Sequence, residues 1–327
     1  MLAIFAEKVE KRFPPDIRAV DGVDLAIEEG ALFGYLGVNG SGKTTTIRML
    51  TTLLRPTSGR AEVAGFDVLR HPNEVRRSIG VALQEAALDD LQTGRELLHL
   101  QAHLYELPAG SVKQRVAELL RLVDLEDAAD RPVRTYSGGM KRRLDLAAAL
   151  VHGPKIVFLD EPTTGLDPIS REAIWRYVRA LNKEDGVTFF LTTQYLEEAD
   201  RLADEVAIMD AGRIVAQGSP ADLKTSIGTD VVTVHVEGDH GQAKRAAELV
   251  RGFAGVEDVR TLDNTVVIYI REGSAAIARI VLLLNEASVS VGEVSLARPT
   301  LDDVFIRTTG HQLASQPEEG LTPTEGR

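Results

Sequence analysis

Short apolar runs alternate with helical stretches along the first two thirds of the chain. Residues 32–36 and 155–159 are apolar at almost every position, which is typical of strands that are buried on both faces. Residues 43–54 and 170–182 follow them with the periodicity of helices. This alternation predicts an α/β fold with a mostly parallel sheet covered by helices on both faces.

The pattern differs at the start of the chain and again in its middle. Residues 4–9 and 23–27 read as short strands ahead of the buried sheet. Between them and the later strands, residues 96–105, 112–123 and 141–151 each place apolar side chains three and four positions apart. Three helices are therefore expected between about residues 91 and 150.

The last third of the chain indicates a separate domain. The pattern breaks around residues 220–228, and residues 231–296 then follow the order β-α-β-β-α-β, with a hairpin that turns at residues 263–264. This order is typical of a small ferredoxin-like α+β domain. Residues 311–327 are polar and contain Pro, Glu, Gly and Thr, so we expect a disordered tail. The predicted domains are 1–225 and 229–310.

Composition narrows the class of protein. The 327 residues are 44% hydrophobic and 26% charged, as in ordinary globular proteins. A net charge of −12 argues against a general nucleic-acid binder, and the lack of cysteine excludes disulfides and thiolate metal sites. The sequence has no signal peptide pattern, and its apolar runs, such as residues 280–284, are too short to span a bilayer. Any membrane association is expected to depend on a partner.

A glycine-rich stretch at residues 37–45 carries the strongest chemical signal. It fits the spacing G-x-x-x-x-G-K-[ST], and it lies between a predicted strand and a predicted helix. Glycines let successive backbone N–H groups surround phosphate oxygens, the lysine adds a point charge, and a threonine hydroxyl can bind Mg²⁺. The stretch predicts a nucleoside triphosphate site, formed by Asn39, Gly40, Ser41, Gly42, Lys43, Thr44 and Thr45.

Two later segments carry further candidate chemistry. The apolar run 156–159 ends in Asp160 and Glu161, a pair suited to hold Mg²⁺ and to polarise a water molecule. Ser137, Gly138 and Gly139 precede a predicted helix. They form either a second anion site or an N-cap with a flexible lead-in.

Two other features can be interpreted either as structural or as functional. Phe13 is either a core residue or a flat face for an adenine. Glu96, His99 and His103 share one face of a predicted helix. That face is either a metal site or a solvated or partner-facing edge, and the second reading is favoured.

Together the motifs resemble the ATP-binding subunit of an ABC transporter, and the resemblance covers residues 1 to about 225. Residues 37–45 are similar to its Walker A motif, and residues 136–140 to its signature, with Tyr and Met at the ends of the usual Leu-Ser-Gly-Gly-Gln. The remaining matches are Phe13 for the adenine-stacking aromatic, Gln84 for the Q-loop glutamine, Asp160 for Walker B, Glu161 for the catalytic glutamate, and Asp167 within the D-loop, residues 165–168.

The resemblance implies a P-loop ABC-type core with an antiparallel edge sheet and a helical subdomain near residues 85–150. It implies that two copies face each other head to tail, with each ATP between one P-loop and the partner's Ser137, Gly138 and Gly139. Glu161, Gln194 and Gln84 would act in catalysis, and Thr44, Gln84 and Asp160 would hold Mg²⁺. Gln84 would also relay the nucleotide state to a membrane permease docked on the helical subdomain.

Gln194 departs from the wider family, in which a histidine follows the Thr-Thr pair. Glutamine donates a hydrogen bond but carries no positive charge. Residues 192–196, the signature and the C-terminal residues 300–305 together resemble the ATPases of daunorubicin-resistance-type drug exporters. The implied function is efflux of a hydrophobic drug through a separate permease, at the cytoplasmic face of the membrane.

Other functions are weighed against this one. An exporter of a lipid or cell-wall precursor has the same motifs. A soluble ABC ATPase that acts on nucleic acid usually has paired ATPase domains or long coiled-coil inserts, and this chain shows neither. A module that only binds nucleotide conflicts with the presence of Glu161.

Overall fold

The computed structural model describes residues 1–84, 88–227, 230–237 and 240–310. The chain divides into two compact units, Met1–Leu223 and Lys224–Arg327. This division lies close to the boundary expected near residue 225. The tail expected at residues 311–327 lies outside the described residues.

The first unit contains ten strands and seven complete helices among its described residues. The strands are β1 (Leu2–Phe13), β2 (Ile17–Glu28), β3 (Leu32–Leu36), β4 (Ser58–Val63), β5 (Phe66–Asp67), β6 (Ile79–Ala82), β7 (Ile156–Asp160), β8 (Thr188–Thr193), β9 (Glu205–Asp210) and β10 (Arg213–Gly218). The helices are α1 (Lys43–Leu50), α2 (Pro72–Ser78), α3 (Gly94–Leu104), α4 (Ala109–Leu122), α5 (Gly138–Ala149), α6 (Pro168–Asp185) and α7 (Leu196–Leu202), followed by α8 (Pro220–Ile227) across the division.

The central sheet has six strands in the order β10-β9-β3-β8-β7-β6. All neighbouring pairs are parallel except β9 and β10. Every residue of β3, β7 and β8 is buried, which explains why these strands read as continuous apolar runs. The rings of Phe33 and Phe158 each lie 5.5 Å from the ring of Phe190, centroid to centroid, and form part of the core.

A second sheet, in the order β2-β1-β4-β5, is antiparallel. Its first two strands are longer than the sequence pattern predicts, because the parts next to the turn that joins them, residues 10–13 and 17–19, are exposed or half-buried and do not alternate. Helix α1 is shorter than predicted. It ends at Leu50, and Thr52 then adopts a left-handed φ of 64°.

Helices α3, α4 and α5 pack around a shared apolar core that includes Leu98, Val116 and Leu144. The side chains of Thr93 and Glu96 form a capping box at the start of α3. Glu96 therefore caps the N-terminus of the helix. His103 Nδ1 lies 2.6 Å from the carbonyl oxygen of His99 in the same helix. These contacts within the helix explain the polar face of α3, for which the sequence allowed either a metal site or an ordinary helix edge.

The second unit contains a four-stranded antiparallel sheet in the order β12-β13-β11-β14. This order, with both helices between strands, is that of the predicted ferredoxin-like fold. The elements are β11 (Asp230–Val236), α9 (His240–Arg251), β12 (Val256–Leu262), β13 (Thr265–Ile270), α10 (Gly273–Glu286), β14 (Val291–Ala297) and α11 (Leu301–Thr309).

Two helices differ from the expected pattern. Helix α8 lies where the sequence pattern breaks, and α11 follows a capping box formed by Thr300 and Asp303. The Asp303 carbonyl oxygen accepts a hydrogen bond from the buried Tyr269 hydroxyl, 3.3 Å. Among the described residues, no helix is long and apolar enough to cross a membrane.

Candidate nucleotide site

The loops that carry the predicted site residues meet at one edge of the central sheet. The P-loop follows β3, Gln194 follows β8, Glu161 follows β7 and Gln84 follows β6. These four strands are neighbours in the order β3-β8-β7-β6 and run parallel. Their carboxyl ends therefore bring the four segments together, as is usual for ligand sites in such sheets.

The P-loop backbone needs glycine at two of its fixed positions. Gly42, the N-cap of α1, has a φ of 111°, and a Cβ there would clash with the Ala19 carbonyl oxygen. A Cβ on Gly37 would clash with the Met209 carbonyl oxygen and with Ser41 Oγ. Side chains therefore have no room at these two positions. The loop lies at the start of a helix, where the N–H groups favour an anion.

Lys43 lies inside this loop. Its side chain is 3% exposed, and its ammonium donates to the carbonyl oxygens of Gly37 and Val38, at 2.8 and 3.1 Å. The same nitrogen lies 3.4 Å from Glu161 Oε1. Burial lowers the pKa of Lys43, and the negative charge of Glu161 opposes that effect. The lysine is held next to the carboxylate that ends the Walker B strand.

Hard oxygen ligands meet beside the lysine. Asp160 Oδ1 accepts hydrogen bonds from Thr44 Oγ1, at 3.2 Å, and from Thr192 Oγ1, at 2.6 Å. Carboxylate and hydroxyl oxygens are the ligands that Mg²⁺ prefers. The hydroxyl of Ser41 is buried and has no hydrogen-bond partner among the described residues. The residues present therefore fit a Mg²⁺-nucleotide.

The backbone of Glu161 is in an unusual conformation. Its φ is 49°, in the left-handed region, and its N–H is held by both the carbonyl oxygen and the hydroxyl of Thr192, at 3.1 and 3.0 Å. The hydroxyl of Thr164 donates to Glu161 Oε2 at 3.2 Å. Such outliers cost free energy and concentrate at functional sites. Here the conformation directs the carboxylate to Lys43.

The signature segment caps its own helix. Ser137 Oγ accepts a hydrogen bond from the Met140 N–H at 3.2 Å, so the N-cap reading is correct for this chain by itself. A Cβ on Gly139 would lie 2.6 Å from Ser170 Oγ, and Ser170 donates through both its N–H and its hydroxyl to Asp167. The signature thus packs against the D-loop of the same chain. Among the described residues, no hydrogen bond joins Ser137, Gly138 or Gly139 to the P-loop.

Three further predicted residues are Phe13, Gln84 and Gln194. Phe13 is 37% exposed at the end of β1, where Lys11 Nζ lies 5.0 Å from its ring centroid. Gln84 is exposed just beyond the end of β6, and Gln194 is partly exposed just beyond the end of β8. The structure places Gln194 and Gln84 at the same edge of the sheet as the P-loop and shows no hydrogen bond from either side chain to another described residue.

Two family profiles match the chain. The profile described as ABC transporter matches residues 20–164, and that of the ATP-binding protein DrrA1-3-like C-terminal domain matches residues 218–309. The daunorubicin resistance ATP-binding protein DrrA2 from Streptomyces coeruleorubidus is 46% identical over 311 residues, which cover 95% of this chain and 96% of that protein. The chain belongs to the DrrA-like ATP-binding proteins of ABC transporters.

Further similarities of this DrrA-like chain agree with that assignment. The Nod factor export ATP-binding protein I of Ralstonia nicotianae is 40% identical over 309 residues, which cover 94% of this chain and 94% of that protein. Among solved structures, the dimeric ATP-binding cassette MJ0796, in a post-hydrolysis state with ADP and Pi, matches with a TM-score of 0.61 at 27% identity, over 66% of this chain and 98% of that one. The predicted family, fold class, ATP hydrolase activity coupled to transport, and cofactors ATP and Mg²⁺ are confirmed.

Sequence reasoning missed one buried cation in this DrrA-like site. The Arg142 guanidinium, on α5, donates to the carbonyl oxygens of Asp160, at 2.9 Å, Pro162, at 3.0 Å, and Leu83. It also forms an ion pair with Asp145 at 3.2 Å, and burial raises the pKa of Asp145 to about 6. Arg142 therefore joins the signature helix to the ends of β7 and β6. Its only sequence signal is its place on the buried face of α5.

Proposed function

We propose that this chain is the ATP-hydrolysing subunit of an exporter that expels a hydrophobic drug or antibiotic through a separate integral membrane permease. The observation that carries the cargo class is the similarity to the daunorubicin resistance protein, which extends over both units at 46% identity. Because the permease selects cargo, the proposal names a class of compounds rather than one compound. It places the chain peripherally at the cytoplasmic face of the membrane.

Each part of the chemistry is assigned to particular residues. Residues 37–45 hold the phosphates, and Thr44 and Asp160, with Gln84, hold Mg²⁺, which neutralises charge on the transferred phosphoryl group when bound. Glu161 orients a water molecule and accepts its proton. Gln194 donates its amide hydrogen bond to the γ-phosphate, and Phe13 stacks on the adenine.

A second copy of the chain completes the site in this proposal. Ser137, Gly138 and Gly139 lie at the N-terminus of the 12-residue helix α5, where an anion is favoured. Ser170 links them to Asp167 of the D-loop, because its hydroxyl donates to Asp167 and lies next to Gly139. The phosphates that these residues contact in this proposal belong to the nucleotide of the partner.

The permease is proposed to dock on an apolar groove of about 330 Å³ beside α3. Leu53, Leu83, Gln101 and Tyr105 are among the residues that line it. Leu104, the last residue of α3, is 67% exposed next to Tyr105. The groove reaches the end of β6, directly before Gln84, so an occupant there would be sensitive to the state of the nucleotide site.

The test is reconstitution with the membrane protein that co-purifies with the chain. In proteoliposomes, daunorubicin should stimulate ATP hydrolysis and be transported, whereas Glu161→Gln should abolish both. Leu104→Asp should release the permease, and Leu69→Asp, at another exposed leucine, should not. Stimulation by phospholipid or cell-wall precursors without an effect of hydrophobic drugs would contradict the cargo class.

The other functions considered have weaker support. A lipid or cell-wall precursor exporter is not favoured, because the drug-resistance relative is more similar than the Nod factor export relative, at 46% against 40% identity. A nucleic-acid ATPase is disfavoured by the net charge of −12.

A further inference from the structure

A fully buried carboxyl lies behind the nucleotide site. Glu198, in the first turn of α7, is 0% exposed. Its Oε1 accepts hydrogen bonds from Thr163 Oγ1, at 3.1 Å, and from Trp175 Nε1, at 2.9 Å. Burial raises the pKa of Glu198, and the hydrogen bonds from Trp175 and Thr163 oppose that shift. None of the roles assigned above uses this group.

The partners of Glu198 belong to separate functional segments. Thr163 is buried in the turn between Glu161 and the D-loop, where its carbonyl oxygen accepts a hydrogen bond from the Leu166 N–H at 3.2 Å. Trp175 lies on α6, the helix that begins at the D-loop. Glu198 itself is four residues after Gln194, on a helix whose N-cap is Tyr195. One carboxyl therefore connects the segments that carry Glu161 and Gln194.

A second connection runs parallel to the first. The Arg171 guanidinium donates to the Leu166 carbonyl oxygen at 3.4 Å, and its central carbon lies 5.1 Å from the ring centroid of Tyr195. The positive charge of Arg171 also favours the charged form of the Glu198 carboxyl. Both connections join the D-loop to the residues directly after β8.

Packing alone does not require an acid at this position. The neighbouring core residues Ile174, Ala199 and Leu202 are apolar and buried, and a leucine of similar volume would avoid the desolvation of a carboxyl. The carboxyl does supply an acceptor for two donors that would otherwise be buried without a partner. Its specific contribution is therefore the fixed geometry of Thr163 and Trp175.

We propose that Glu198 is a positioning residue that fixes the D-loop segment relative to the loop of Gln194, so that Glu161 and Gln194 act on the same phosphate. The inference rests on the functions proposed for those two residues. It goes beyond them because Glu198 contacts no nucleotide-binding residue of the P-loop in the described contacts. Loss of the carboxyl should slow hydrolysis while ATP still binds.

The experiment compares Glu198→Leu with the matched control Glu197→Leu, at the adjacent glutamate, which is exposed and pairs with Arg201 at 3.1 Å. We expect Glu198→Leu to lower kcat per bound nucleotide by about tenfold, with the ATP dissociation constant within about threefold of wild type. Glu198→Gln keeps an oxygen acceptor and should restore at least half of the activity. Glu197→Leu should match wild type.

Trp175 provides a second readout, because it is the only tryptophan of the chain and donates to Glu198. Its emission should change when Mg²⁺-ATP binds to wild type and to Glu197→Leu, but not to Glu198→Leu. A purely structural role would lower the melting temperature and the fraction of sites that bind ATP, but not kcat per bound nucleotide. A kcat per bound nucleotide within twofold of wild type in Glu198→Leu would overturn the proposal.

Two further variants separate the possible failures. Should Glu198→Leu not fold, Thr163→Val removes only the hydroxyl donor and should lower kcat in the same direction, and equal activity of Thr163→Val and wild type would then overturn the proposal. Should wild type hydrolyse ATP at the rate of Glu161→Gln, the function proposed for the site fails instead. The two failures are thus distinguishable.

Discussion

The exchange Glu161→Gln tests the chemistry of the site most directly, because the amide preserves the shape of the side chain. Lys43 and Thr164 lie 3.4 and 3.2 Å from different carboxylate oxygens, so the single amide oxygen can still accept from one of the two. What the exchange removes is the negative charge and the ability to accept a proton from water. We therefore expect hydrolysis to slow by about 10²- to 10⁴-fold, or about 3–5.5 kcal/mol in the barrier.

The same exchange should change stability in a way that depends on the nucleotide. At 3.4 Å, the attraction between Lys43 and Glu161 is about 5 kcal/mol at an effective dielectric constant near 20, before the cost of desolvation. Removing one partner of a buried pair costs about 3–5 kcal/mol, and less here since Lys43 keeps two carbonyl acceptors. Bound phosphates replace the lost charge. ATP should therefore raise the melting temperature of Glu161→Gln more than that of wild type.

Three measurements check this prediction: steady-state hydrolysis, the ATP-induced change in melting temperature, and size-exclusion chromatography with Mg²⁺-ATP, in which the variant should run as a dimer. Glu172→Gln is the control, because Glu172 is 68% exposed on α6 and its ion-pair partner, 3.6 Å away, is Arg201 rather than a residue of the site. A kcat for Glu161→Gln within tenfold of wild type would refute its role as the base. A monomer at saturating Mg²⁺-ATP would refute the assignment of residues 137–139 to the partner's nucleotide.

Three other predictions follow from separate features. Gln194→Ala should lower kcat with ATP affinity retained, and Gln194→His should keep much of the activity; an Ala variant as active as wild type would exclude a role in hydrolysis. A chain that ends near residue 228 should still bind ATP but dimerise or couple to its permease more weakly, as tested by nucleotide binding and co-purification; a folded truncation that does not bind ATP would show that the domain boundary is wrong. Burial lowers the pKa of His152, so its contribution to the free energy of unfolding should be fully present above about pH 6.5 and should decrease as pH falls. The ring of His152 stacks on Tyr105 at 3.8 Å, and His152→Phe retains a flat ring there, so this variant should lose less melting temperature on acidification. An unchanged pH dependence would exclude His152 as its cause.

Local sequence rules account for the centre of the site. The P-loop, Glu161 and Gln194 each directly follow a buried parallel strand. Such strands are apolar throughout, and their carboxyl ends must lie at one edge, so pattern and chemistry agree. The P-loop glycines are predictable for the same reason, because backbone conformation and phosphate binding both require them.

Long-range contacts explain what the sequence could not predict. Arg142 lies next to Lys141 and Arg143, and only the fold shows that its guanidinium is buried against three carbonyl oxygens. Glu198 follows another glutamate, Glu197, and only one of the pair is buried. Helix α11 has a clear capping box, but its partner surface on Tyr269 is more than thirty residues away in the sequence. Burial of a charged side chain is a tertiary property.

Arg142 and Glu198 occupy complementary places in the site. Arg142 fixes the signature helix to the carbonyl oxygens of Asp160 and Pro162, and Glu198 fixes Thr163, one residue further along the same segment. The backbone that carries Glu161 is thus held from the signature side and from the Gln194 side, and its left-handed φ needs such support. In the dimer that we propose, a displacement of the signature by the partner's nucleotide would be transmitted through Arg142 to Glu161, the proposed base. This arrangement gives a physical reason why hydrolysis in one site should depend on the assembled dimer rather than on ATP binding alone.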